Sequence, residues 1–131
     1  MFRKYFAIGA IGAALAIAFG AFGAHGLKEM VSERMLQNFE TGVRYQMYSA
    51  LGIMIIALAS KLIGNSAASS EKKLAVGALL ITIGTCIFSG SLYIMALTGA
   101  TVLGAITPIG GVLMITGWII VITRILKFKD N

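Results

Sequence analysis

Few side chains in this sequence could do chemistry. Among 131 residues there is one histidine, His25, and one cysteine, Cys86. A structural zinc site needs four side-chain ligands, so these two cannot build one. Nor can a lone cysteine form an internal disulfide framework. A Cys–His dyad needs both groups within hydrogen-bond reach. Cys86 falls midway along an apolar run, about 18 Å of helix before Thr98, whereas His25 closes a different run, so depth separates them. Cys86 is expected to be a small packing residue. Gly20, Gly23 and Gly26 around the histidine follow no strand and do not form a nucleotide loop. His25 therefore has two readings. It ends a helix, with Gly26 as a left-handed cap and the imidazole complementing the helix dipole. Otherwise it joins Arg44, Tyr48 and Tyr93 in a polar pocket.

The elements that must position these groups are apolar. The chain is 58% hydrophobic and 12% charged, against about 25% charged in soluble domains. So short a chain cannot hide that much apolar surface from water, and a bilayer is its natural solvent. Four runs dominate, at residues 5–24, 45–60, 74–100 and 101–123. About 20 apolar residues cross a hydrocarbon core as a helix, and the pattern predicts spans at about 5–25, 44–63, 73–98 and 102–125 in a single membrane domain covering 1–131. The first run exceeds the core of a cleaved signal, about 7–15 residues. Strand-like alternation is absent, which argues against a barrel. The expectation is an all-α membrane protein with four transmembrane helices in a compact bundle.

Basic residues set the orientation. Arg3, Lys4, Lys61, Lys72, Lys73, Arg124, Lys127 and Lys129 fall on one side of a four-span chain. Lys28, Arg34 and Arg44 fall on the other, offset by Glu29, Glu33 and Glu40. A multi-pass protein of the cell membrane with both termini cytoplasmic is expected. The formal charge of +6 borders apolar runs and forms no polar face, so nucleic acid is not an expected partner. "NSAASSEKK" at 65–73 reads as a short flexible loop. Residues 31–43 read as an amphipathic helix at the outer interface. Ser32 caps it, Met35, Leu36, Phe39 and Val43 share one arc, and Gly42 bends the chain into the second span.

Inside lipid, small residues and inter-helix hydrogen bonds hold helices together. The first span offers Gly12, Ala16, Gly20 and Ala24. The third offers Gly77, Gly84, Ser91 and Thr98, seven apart, as suits a left-handed crossing. The fourth offers Gly104 with Gly111 and Gly110 with Gly117. Pro108 either follows a capping Thr107 at the start of a helix or kinks a longer one. A kink is favoured, because Val102–Ile106 is too apolar for water.

Polar groups are distributed unevenly in depth. His25, Arg44, Tyr45, Gln46, Tyr48, Ser91, Tyr93 and Thr107 fall in the outer half and form the candidate ligand-binding site. No catalytic residue, metal ligand or cofactor is assigned. Arg44 is expected to pair with Glu40 on the helix surface. Gln46 falls on the apolar arc and needs a partner across the bundle. No Asp or Glu lies in a span core, which argues against a proton-coupled exporter. The leading reading is a binding or assembly protein with a polar site in the outer half. Its partners would be membrane lipids and a second copy of the chain or another membrane protein. An oligomeric small-solute channel or transporter is the second reading, and a membrane enzyme using His25 the third.

"GAFGAHGL" at 20–27, "YQMY" at 45–48, "FSGSLY" at 88–93, "TPIGG" at 107–111 and "GW" at 117–118 occur in one order along nearly the whole chain. This set resembles the small bacterial inner-membrane proteins of the YgdD/YwdK type, a family of unknown function. The resemblance implies four spans and a cell-membrane location, and no established activity. Relatives often have a histidine where this chain has Ser49.

Overall fold

A computed structural model of the chain describes residues 1–63 and 68–128. Among the described residues there are four long helices: α1 (Phe2–His25), α2 (Glu33–Ile63), α3 (Ala68–Thr98) and α4 (Thr107–Leu126). Short 3₁₀ turns at Leu27–Glu29 and Thr101–Ala105 lie in two of the connections. Each helix is long and apolar enough to cross a membrane. Connections this short force sequence neighbours to run antiparallel. The chain start therefore lies beside the end of α2, the start of α3 and the end of α4. This basal end is drawn together by Tyr5, Ile56, Ala57, Ile63, Leu74 and Ala78, with Met1, Phe2 and Phe128 packed against them. The Met1 ammonium donates to Glu71 Oε1 at 3.1 Å.

The helices form a succession of neighbours. α1 rests on α2, α2 on α3 and α3 on α4. α2 and α3 are the inner pair, and α1 and α4 keep much of their surface open to the surroundings. Ile11, Ile17, Ile109, Val112 and Ile115 stand exposed on those outer helices. Exposed side chains of this kind are expected of a lipid-facing surface and not of a water-facing one.

The α3–α4 seam follows the small-residue stripes. A side chain added to Gly117 would meet Gly77 O at 2.7 Å, and one added to Gly84 would meet Gly110 O at 2.7 Å. The two glycine pairs, seven residues apart on each helix, let the backbones touch. α1 departs from its expected stripe. Its buried positions are Tyr5, Gly9, Ala16 and Gly23, and Ala24 is exposed. Positions 9, 16 and 23 keep a spacing of seven, so the crossing selects a heptad and the fours drift off the face.

Three local expectations are corrected. Residues 33–43 do not form a separate interfacial helix; they are the first turns of α2, which continues unbroken through Gly42. The apolar arc is real, but Phe39 packs in a cluster with Leu27 and Ala96, flanked by Met35, Leu36 and Val43, so protein and not bilayer covers it. Ser32 does cap the helix, its Oγ accepting from Met35 N at 3.3 Å. The kink at Pro108 is absent: α4 starts at Thr107 with proline in its first turn, where the missing N–H costs nothing. Val102–Ile106 is accommodated by the 3₁₀ turn before it. Finally, α3 already begins at Ala68, inside the expected flexible loop, whose residues 65–67 lie outside the described residues, as does Lys129.

Candidate functional site

The succession of helices leaves a lateral groove on each side of the inner pair. The first opens between α1 and α3 and is floored by α2. It has a volume of about 320 Å³ and is lined by Ile8, Ile11, Leu15 and Phe19 of α1, Gln46, Ala50 and Ile53 of α2, and Thr82 to Tyr93 of α3. The second opens between α2 and α4 and measures about 390 Å³. Tyr45, Tyr48, Phe88 and Trp118 supply most of its wall.

The first groove holds a polar triple at its floor. Gln46 Nε2 donates to Gly12 O at 2.8 Å, and Tyr93 Oη donates to Gln46 Oε1 at 2.7 Å. One side chain thus joins α1, α2 and α3. This is the cross-bundle partner that an amide on an apolar face requires, and such bonds contribute about 0.6–2 kcal/mol each inside a membrane. A side chain added at Gly12 would be crowded only by the Cβ of Ala50, at 3.3 Å. Its carbonyl serves the helix with one lone pair and Gln46 with the other.

Tyr93 is held from three sides. Its ring lies 5.3 Å from Phe19 and 4.9 Å from Phe39, centroid to centroid. Against α2 it sits on Gly42, where an added Cβ would meet the ring at 2.7 Å. Gly42 is therefore a seat for an aromatic ring and not a bend. Its carbonyl accepts from Ser89 Oγ at 2.7 Å, which ties α3 to α2 one helical turn before the tyrosine.

The remaining expected site residues do not join this triple. Ser91 and Thr107 share a hydrogen bond of 2.6 Å between α3 and α4. Thr107 caps nothing; it follows the capping position, Ile106. Tyr45 packs edge-on to Tyr48 at 5.7 Å and against Phe88 at 5.0 Å, in the second groove. His25 is the last residue of α1 and is exposed. Gly26 beside it keeps right-handed helical dihedrals (φ −73°), so the chain turns on through a 3₁₀ turn. The left-handed cap occurs instead at Gly99 (φ 73°), closing α3. Arg44 is exposed and its Nη2 donates to Thr41 Oγ1 at 3.3 Å. An ion pair with Glu40 is not among those formed by the described residues. Glu40 is four residues from Arg44 but Thr41, three away, takes the guanidinium.

Sequence reasoning missed Thr82, Thr85, Cys86, Ser89 and Gly90 as groove residues. Cys86 is exposed on the groove wall, not packed in a seam. The hydroxyls of Thr82 and Thr85 donate to Ala78 O and Ile81 O, at 2.8 and 2.7 Å. The signal was present in the residue spacing: 82, 86, 89, 90 and 93 lie on one side of a helix whose glycine side, 77 and 84, packs on α4.

Four long apolar helices in succession, with exposed aliphatic outer surfaces, define a polytopic membrane protein. Residues 19–111 match the family described as "Protein of unknown function (DUF423)", and the chain belongs to it. It is similar to the UPF0382 membrane protein YwdK of Bacillus subtilis (strain 168), 43% identical over 127 residues, covering 96% of this chain and 98% of the relative. It is also similar to a UPF0382 membrane protein of Staphylococcus epidermidis (strain ATCC 12228 / FDA PCI 1200), 41% identical over 126 residues, with 96% and 98% covered. No solved structure matches the chain. The matched segment contains Gly42, Gln46, Ser89 and Tyr93, but only the end of α1.

Proposed function

We propose that the protein is a binding protein of the cell membrane that holds a lipid-soluble molecule in the groove between α1 and α3. The observation that carries this reading is the Gln46–Tyr93–Gly12 triple at the floor of an otherwise apolar groove. Its lining residues include no Lys, Arg, Asp or Glu. Binding sites for small molecules are concave, mostly apolar and provided with a few converging polar groups, in volumes of about 300–1,000 Å³. The basic residues clustered at the basal end support a cytoplasmic position for both termini, with α1 and α3 passing their groove side to the lipid.

Purification in mild detergent followed by native mass spectrometry tests the reading. Wild-type protein should carry a bound lipid-soluble molecule. Gly90→Leu should lack it, because Gly90 lines the groove and an added Cβ there meets nothing within 4 Å. Ligand-free wild-type protein that keeps its fold after reconstitution into native lipids would overturn the proposal. Reporter fusions at the two ends check the orientation: both should report the cytoplasm.

A further inference from the structure

Resting on the groove as a binding site, we infer that its occupant is a neutral carbonyl-bearing hydrocarbon dissolved in the bilayer interior, held through the second amide hydrogen of Gln46. Hydrogen-bond bookkeeping carries the inference. The groove's hydroxyl hydrogens are committed: Tyr93 to Gln46, Ser89 to Gly42, Thr85 to Ile81 and Thr82 to Ala78. Gln46 Nε2 has two hydrogens, and one of them goes to Gly12 O. The other has no protein partner among the described residues, and a donor left unmatched in an apolar medium is costly. What fits is an acceptor that brings no charge, since no ionic side chain lines the groove to pair with one.

Depth selects among neutral acceptors. Gly12 lies near the middle of α1, which runs from Phe2 to His25, so the triple is about 15 Å along the helix from its start. The hydrocarbon core is about 30 Å thick; Gln46 follows the exposed Arg44 by two residues and Tyr93 lies five residues before the end of α3, so the amide sits inside the outer half of that core. Ester carbonyls of glycerolipids are anchored at the edge of that core by their polar headgroups. A carbonyl compound without a headgroup, such as a long-chain ketone or the neutral ring of an isoprenoid quinone, is free to enter the core to the level of the amide. The Phe19 and Tyr93 rings beside the amide offer such a carbonyl an apolar shelter.

Cys86 lines the groove and is the chain's one thiol, so its alkylation by a neutral maleimide in detergent micelles reports occupancy. The probes share one acyl or alkyl chain length and are used at equal micellar mole fraction: a methyl ketone, an alkane, a carboxylate and a diacylglycerol. The ketone should slow alkylation, with an apparent affinity about fivefold above the alkane, the worth of one neutral hydrogen bond of about 1 kcal/mol. The carboxylate and diacylglycerol should protect no better than the alkane. In Gln46→Met the advantage of ketone over alkane should vanish while alkane protection persists. Equal protection by ketone and alkane in the wild type would refute the carbonyl assignment but leave the groove a binding site. Preference for the diacylglycerol would refute the headgroup-free source. Absence of protection by every probe, with Gly90→Leu labelled at the wild-type rate, would refute the groove itself.

Discussion

The two grooves flank the same pair of helices, yet their walls differ in kind. The one beside α1 is bounded by aliphatic side chains and has an amide, a phenol and three hydroxyls near its floor. The one beside α4 is larger and aromatic, with Tyr45, Tyr48, Phe88 and Trp118. Their seams differ as well. α4 meets α3 backbone to backbone at two glycine pairs, whereas α1 meets α2 that closely at Gly9 alone, where an added Cβ would meet Ala50 O at 2.6 Å. The lesson is that the aromatic groove is closed by a helix seated at two glycine pairs, and the polar groove by one whose closest backbone approach is at a single glycine.

The comparison breaks most severely at Gly110. A side chain there would collide with the backbone nitrogen of Phe88 and with Gly84 O. Gly110→Val should therefore destabilise the protein by about 3 kcal/mol, at the upper end of typical overpacking costs, read by thermal or SDS denaturation in detergent. A wild-type melting curve would show that the seam is not backbone-limited. Next in size is Gln46→Leu, which strands Tyr93 Oη and frees α1 from its polar tie. A loss of about 1–2 kcal/mol is expected, against about zero for Tyr48→Phe in the aromatic groove, where the phenol is exposed. Equal losses would erase the distinction between the walls.

A thiol in each groove sharpens the contrast. Cys86 reports the first; Gly111→Cys in a Cys86→Ala background reports the second, where an added Cβ meets the Phe88 ring at an ordinary 3.8 Å. Both should react with a neutral maleimide, and only Cys86 should be protected by the methyl ketone, by about the same fivefold factor. The smallest effect is expected from Gly90→Ala: no loss of stability, and a gain of up to about 1 kcal/mol from helix propensity. Gly52→Ala should cost stability, because the new methyl would meet Trp118 at 2.6 Å.

Much of this fold was legible because bilayer physics writes it coarsely. Apolar run length predicts the four helices, and the heptad of glycines on the third and fourth predicts their seam. The same logic identified Gln46 as needing a distant partner, since an amide on an apolar face has few other options. What escaped was decided by tertiary context. Whether Phe39 and Val43 meet lipid or protein cannot be read from an amphipathic arc, because both satisfy it. Gly42 and Gly26 each suit a turn by composition, yet one is used for close approach to Tyr93 and the other keeps right-handed dihedrals. Of the eight candidate site residues, Gln46 and Tyr93 meet directly. Depth along a helix is computable from residue number, but azimuth around the bundle is not, and azimuth separates His25, Arg44 and Tyr45 from them.

The glycine seam between α3 and α4 works as a toothed rack and not as a smooth bearing. With carbonyl against Cα at 77–117 and 84–110, a slip of a few residues would drive an isoleucine or leucine into a space that holds none. The next register that matches glycine to glycine is a full heptad away, about 10 Å along the axis. That hairpin can be engaged or disengaged but not graded.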